Sequence, residues 1–208
     1  MSIGCFFGIG AASSDTDDIE QLREHVRAAL RTAGLPDYVE TGDLEACDAR
    51  YEELHAHVRH IRWGGLDTLG SGSLARFAGM VVRSRPDQAG PLRDLVRRSN
   101  KQVYVPGSFD QRVDALGLPD GCLWSIAALQ TALRAAALTL GLPLSNGTVP
   151  DALLPKIAKC RTLGKHDTAS DEPDDHGFSM LEHYRPAWLT LSEFARVAQA
   201  HPIALVLA

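Results

Sequence analysis

The sequence predicts an α/β fold: a small, mostly parallel sheet covered by helices, helix-rich, in a single domain over residues 1–208. Two observations carry this expectation. Short apolar runs at 3–7, 102–105 and 203–207 read as buried strands. Between them lie long stretches whose apolar residues recur at three- and four-residue intervals, the period of a helix with one buried face. Strands separated by helices imply crossover connections, and crossovers produce parallel sheets.

The first apolar run extends from Ile3 to Phe7 and stops at Gly8. Over 15–33 the stripe Ile19, Leu22, Val26, Ala29, Leu30 and Ala33 predicts a helix, closed by Gly34 and Pro36. Tyr38 to Glu40 predicts a short second strand. The stripe then repeats over 44–61 through Cys47, Tyr51, Leu54 and Val58, and Gly64 and Gly65 end it. Ser73 is placed to cap a helix carrying Leu74, Phe77, Ala78 and Val81, and Pro91 opens a shorter one through Leu92 and Leu95. The strand at 102–105 is stopped by Pro106 and Gly107. Asp120 is placed to cap a helix over 121–140 that is apolar nearly all round and so belongs at the centre of the fold. Thr148 to Asp151 has the form of a capping box, and Pro155 limits the helix it would open. Residues 163–178 are polar and acidic and predict a surface loop. Thr190-Leu191-Ser192-Glu193 forms a second capping box, opening a helix that ends near Ala200. After His201 and Pro202 the unbroken run at 203–207 predicts a strand covered on both faces, inside the sheet.

Composition narrows the class. With 45% hydrophobic and 23% charged residues the chain is neither disordered nor fibrous, and at 208 residues it buries a core without disulfides or metal. Cys5, Cys47, Cys122 and Cys160 form no C-x-x-C pair and read as reduced thiols of a cytoplasmic protein. The first ten residues lack the positive region of a signal peptide. The least charged stretch, 121–144, is interrupted by Ser125, Gln130, Thr131 and Thr139, which fits a core helix rather than a membrane span. The net charge of −5 argues against a nucleic-acid partner.

Several groupings have a chemical reading. Gly8-Ile9-Gly10 sits between a strand and a helix, the context of a dinucleotide-binding turn. Ser13 replaces the third glycine, and Asp15, Asp17, Asp18 and Glu20 crowd the helix start, where they would repel a pyrophosphate. A glycine turn with an acid-capped helix, and no cofactor, is the expectation. His55, His57 and His60 share a helix, but only His57 and His60 have a spacing that reaches one ion, with Glu53 as the third ligand such a site would draw on; a solvated face is expected rather than a metal site. Cys122 is the sharpest enzymatic candidate. A thiol in the first turn of the central helix would be acidified by the helix dipole. Cys122 near Trp124 resembles the papain-type opening of a central helix, with His176 as the imidazole base, although Leu123 intrudes and the preceding cysteine of that pattern is missing.

Charge segregates more clearly. Residues 37–53 hold seven acids and one base, residues 167–182 six acids and no Lys or Arg, and residues 83–101 six bases and two acids. An acidic surface of this kind selects a basic protein partner. The strand Val103-Tyr104-Val105-Pro106, the helix ending Gly141-Leu142-Pro143-Leu144 and the stretch from Trp188 to Arg196 resemble small cytosolic bacterial immunity proteins of polymorphic toxin systems. That resemblance implies a cognate toxin as partner and no catalysis. The leading expectation is therefore a non-enzymatic, toxin-neutralising protein that binds through Asp171, Glu172, Asp174 and Asp175. The alternative is a thiol hydrolase or transferase using Cys122 and His176.

Overall fold

In the computed structural model the described residues are 2–12, 15–59, 68–97, 102–115, 117–118, 121–146, 148–158 and 180–208. The chain opens with β1 (Ser2–Phe7), α1 (Thr16–Thr32) and α2 (Leu44–His55). β2 (Thr68–Gly70), α3 (Ser71–Ser84) and the single turn α4 (Gly90–Arg93) come after them. Next are β3 (Gln102–Val105), β4 (Val113–Asp114), β5 (Cys122–Ser125) and α5 (Ile126–Thr139). The short α6 (Leu154–Ile157), the long α7 (Met180–Ala200) and β6 (Leu205–Leu207) close the fold.

The six strands form one sheet in the order β2-β1-β6-β3-β5-β4. The fold is α/β, but the sheet is mixed rather than mostly parallel. Only β3 and β5 pair in parallel; β1–β2, β1–β6, β3–β6 and β4–β5 are antiparallel. The directions explain the difference. β1, β3 and β5 all run one way, as helix-separated strands do, while β6 enters between β1 and β3 in the opposite sense. A strand covered on both faces is uniformly apolar whichever way it points, so its sequence carries no direction. Its interior position matches the expectation for 203–207.

Alternate side chains of the sheet feed two cores. Cys5, Phe7, Tyr104, Trp124, Leu205 and Leu207 face the cluster built with α3, α5 and α7. Val103, Val105, Leu123 and Val206 face the opposite cluster, covered by Val26, Ala29 and Leu30 of α1. Phe7 stacks on Phe194 at 4.8 Å between ring centres, which ties β1 to α7. Full burial of a side chain of this size contributes about 2 kcal/mol.

Local chemistry sets the helix ends. Asp15 caps α1 by accepting the Asp17 N–H, and Asp43 caps α2 by accepting the Ala46 N–H. Gly34, at φ +68°, supplies the left-handed residue after α1. Several expected elements are corrected: α2 ends at His55 rather than near 61, and α3 begins at Ser71, so Ser73 lies inside it rather than capping it. Tyr38 to Glu40 is not a strand. The helix expected over 121–140 begins only at Ile126, because Ser125 rather than Asp120 is its cap and accepts the Ala128 N–H at 3.0 Å. The second capping box is absent: Thr190 lies inside α7 and its hydroxyl donates to the Pro186 carbonyl at 3.0 Å. A continuous α7 leaves no free N–H groups there for a box to satisfy.

Candidate functional site

Cys122 lies on β5, four residues before α5 begins, outside the first turn to which the helix dipole effect is confined. Cys122 and Trp124 are two residues apart on a strand and share a face. Both meet Asp94: the Cys122 thiol donates to Asp94 Oδ2 at 3.4 Å and the Trp124 indole donates to the same oxygen at 3.2 Å. Gln102 Nε2 donates to Cys122 Sγ at 3.7 Å, and Arg112 Nε stands 3.6 Å from Asp94 Oδ2. Burial pushes the Cys122 thiol up, and the Asp94 charge adds to it, against the Gln102 and Arg112 hydrogen bonds. A buried thiol facing a carboxylate is the reverse of an activated nucleophile. His176, its expected base, lies outside the described residues, as do Asp171, Glu172, Asp174, Asp175, His60 and Cys160.

The glycine turn after β1 does bind an anion, and the anion belongs to the chain itself. The N–H groups of Ile9 and Gly10 donate to the two carboxylate oxygens of Glu40, each at 2.9 Å. Gly8 takes φ +90°, the conformation that aims successive amides into one concavity. A Cβ on Gly10 would run into Cys47 Sγ, so the close approach of α2 requires glycine there. Tyr38 donates its hydroxyl to Glu40 Oε2 at 2.9 Å and accepts the Ala204 N–H at 2.8 Å. Arg23 completes the cage, 3.5 Å from Glu40 Oε1, while donating to Cys47 Sγ at 3.3 Å and to the Gly42 carbonyl at 3.0 Å. Burial, reinforced by the Glu40 charge, raises the Tyr38 hydroxyl far above its usual range. Burial and the same carboxylate raise the Cys47 thiol against the pull of Arg23. The turn is filled not by the helix-start acids but by Glu40, arriving from the segment before α2.

A second caged carboxylate is Glu193 of α7, 3% exposed. Arg59 donates its backbone N–H, Nε and Nη2 to the Glu193 carboxylate at 3.0, 3.1 and 2.9 Å. Arg196 adds Nη2 at 2.8 Å and reaches the His57 carbonyl with the same nitrogen at 2.6 Å. Burial alone would raise the Glu193 carboxyl, but the hydrogen bonds from Arg59 and Arg196 outweigh it and hold the group below the usual carboxylate range. The histidines do not share one solvated face. His55 is buried, with its ring 5.7 Å from Phe194, whereas the exposed His57 stacks on His201 at 5.2 Å. Among the described residues no three His, Cys, Asp or Glu side chains are grouped to hold a metal ion.

The acids of 37–53 divide sharply. The Glu40 side chain is only 8% exposed, Asp37 pairs with Arg31 at 3.3 Å and Asp43 caps α2. Glu45, Asp48, Glu52 and Glu53 are exposed and make no ion pair among the described residues. Glu45, Asp48 and Glu52 are spaced i, i+3 and i+7, which sets them in one stripe along the outer face of α2. Cys47, Leu54 and the half-buried Tyr51 hold the opposite face on the core. Counting acids along the sequence does not separate structural from free ones; the i, i+3, i+7 spacing is the signal that does. Nothing in the sequence points to Arg59 or Glu193, which meet across 134 residues of chain.

The fold and these cages define a mixed α/β protein whose caged carboxylates Glu40 and Glu193 serve the structure, while α2 carries a stripe of three free ones. The chain matches no protein-family model, no curated protein and no solved structure. No helix among the described residues is long and apolar enough to cross a membrane.

Proposed function

We propose that the protein acts by binding a basic protein partner through an acidic surface, as a toxin-neutralising protein of the immunity type. The observation that carries this reading is the Glu45–Asp48–Glu52 stripe, three unpaired carboxylates on a helix anchored to the core by Cys47 and Leu54. Like charges set at i, i+3 and i+7 repel and give the free protein no stability, so their grouping makes sense when a cation-rich surface neutralises it. Asp171, Glu172, Asp174 and Asp175 belong to the same proposal as a second acidic contact. A thiol hydrolase built on Cys122 draws no support from the Asp94 carboxylate beside its sulfur.

The test captures the partner from the native host and measures association by biolayer interferometry between about 50 and 500 mM salt, a range over which the screening length shrinks several-fold. Replacing Glu45, Asp48 and Glu52 by Gln, Asn and Gln is expected to slow association about tenfold at low salt and to flatten its salt dependence. The same replacement at Asp171, Glu172, Asp174 and Asp175 measures the second contact. An acidic partner, or rates unchanged in both variants, overturns the reading.

A further inference from the structure

A cavity of about 190 Å³ opens where α5 and α7 meet α6. Its walls are Leu133, Leu144, Val149, Leu154 and Trp188, and the indole N–H of Trp188 is already spent on the Leu133 carbonyl at 2.8 Å. An apolar cavity of about 150 Å³ holds a benzene molecule, so the space here accepts a small ring or a short alkyl chain. Two polar groups on its lining are uncommitted. Ser192 Oγ is buried with no hydrogen-bond partner. The Arg134 guanidinium touches only the Thr131 hydroxyl, at 3.1 Å, and faces no carboxylate among the described residues.

The contacts Gln130 to Ala195 and Trp188 to Leu133 run α5 antiparallel to α7, and Arg134 and Ser192 both line the cavity between them. Charge then selects the ligand. Arg59 and Arg196 are balanced by Glu193 and Asp151, Asp151 accepting from Arg59 at 3.0 Å. Arg134 therefore leaves one positive charge. A second negative charge on the ligand would find no free cation among the described residues of the lining and would face the Glu193 carboxylate, whereas a monoanion matches the single free guanidinium.

We propose that this cavity binds a small apolar monocarboxylate, its hydrocarbon body against Trp188 and Val149, and its carboxylate on Arg134 with the Ser192 hydroxyl donating. The site does not involve the acidic face of α2 and stands independently of the partner it binds.

The test is calorimetric titration of the full chain with phenylacetate and with its neutral counterpart, phenethyl alcohol. The acid is expected to bind about tenfold more tightly than the alcohol, the worth of one charge-assisted contact at a partly exposed site. Arg134→Gln sits at an exposed position without an ion pair; it should bring the acid down to the affinity of the alcohol and leave the alcohol unchanged. Ser192→Ala should weaken the acid by several-fold, about the worth of one hydrogen bond. Val149→Phe should fill the cavity and remove both ligands, and if that variant melts early the Arg134 and Ser192 variants decide by themselves. Equal binding of acid and alcohol, no binding of either, or an acid affinity untouched by Arg134→Gln overturns the proposal.

Discussion

Glu193 concentrates more hydrogen bonds on one carboxylate than any other described residue, and it is deeply buried. Replacement by Gln keeps the shape but removes the charge that Arg59 and Arg196 share, with a loss of about 2 kcal/mol at neutral pH. The figure is held down because both guanidiniums are about 40% exposed and remain solvated without it. For a chain of this length that is a fall of roughly 4–8 °C in the thermal midpoint. The lowered carboxyl sets the sign of the pH dependence. Stabilisation is complete above the unfolded value of about 4.3 and is lost as the pH falls through the lower folded value. Melting curves of wild type and Glu193→Gln recorded from neutral to acid pH should therefore converge at the acid end; a gap that persists there would show that the charge is not what the arginines require. At this scale the sequence is least legible. Glu40 and Glu193 look like any surface acid along the chain, and what distinguishes them is partners 31 and 134 residues away. The glycine pair after β1 does announce an anion-binding concavity, because backbone amides need only local geometry to converge.

Elements are more legible, since period and capping are local. The boundaries of α1 and the position of β3 agree with apolar spacing and stop residues. β5 escapes the sequence reading because four apolar or small residues leading into a helix continue its pattern, and periodicity cannot divide so short a run. α7 hides a false start, since a capping sequence means nothing where the preceding residues are already helical. β6 carries the sharpest consequence. It hydrogen-bonds to β1 on one side and β3 on the other, and Leu205, Val206 and Leu207 are each no more than 1% exposed. Deletion of 203–208 should split the sheet and uncover two unpaired strand edges, leaving an insoluble chain or one without a cooperative melt by circular dichroism. A truncated protein that unfolds cooperatively at the wild-type midpoint would contradict the central role of β6.

At the scale of the whole molecule, both cores lean on one sheet, so neither survives loss of the other. Cys5 on β1, Cys47 on α2 and Cys122 on β5 are all buried, which makes them three reporters in different elements. In a Cys160→Ser background their reaction with a thiol reagent across a guanidinium series should track a single midpoint, the same as that of the far-ultraviolet circular dichroism. Early reaction of Cys122 would instead mark a locally open site beside Asp94. The charge map fits the same picture, because the α2 acids stand free on a face that the interior does not use.

The pairing of Phe7 with Leu205 has a further meaning for a chain made from one end. A ribosome adding about 5–20 residues each second completes β1 and then takes roughly 10–40 s to deliver the strand that lies beside it. Until β6 arrives, the edges of β1 and β3 that flank it in the finished sheet have no partner strand. The nascent protein is thus most exposed to self-association before its final strand emerges, and a chaperone that shields extended backbone would matter most in that window.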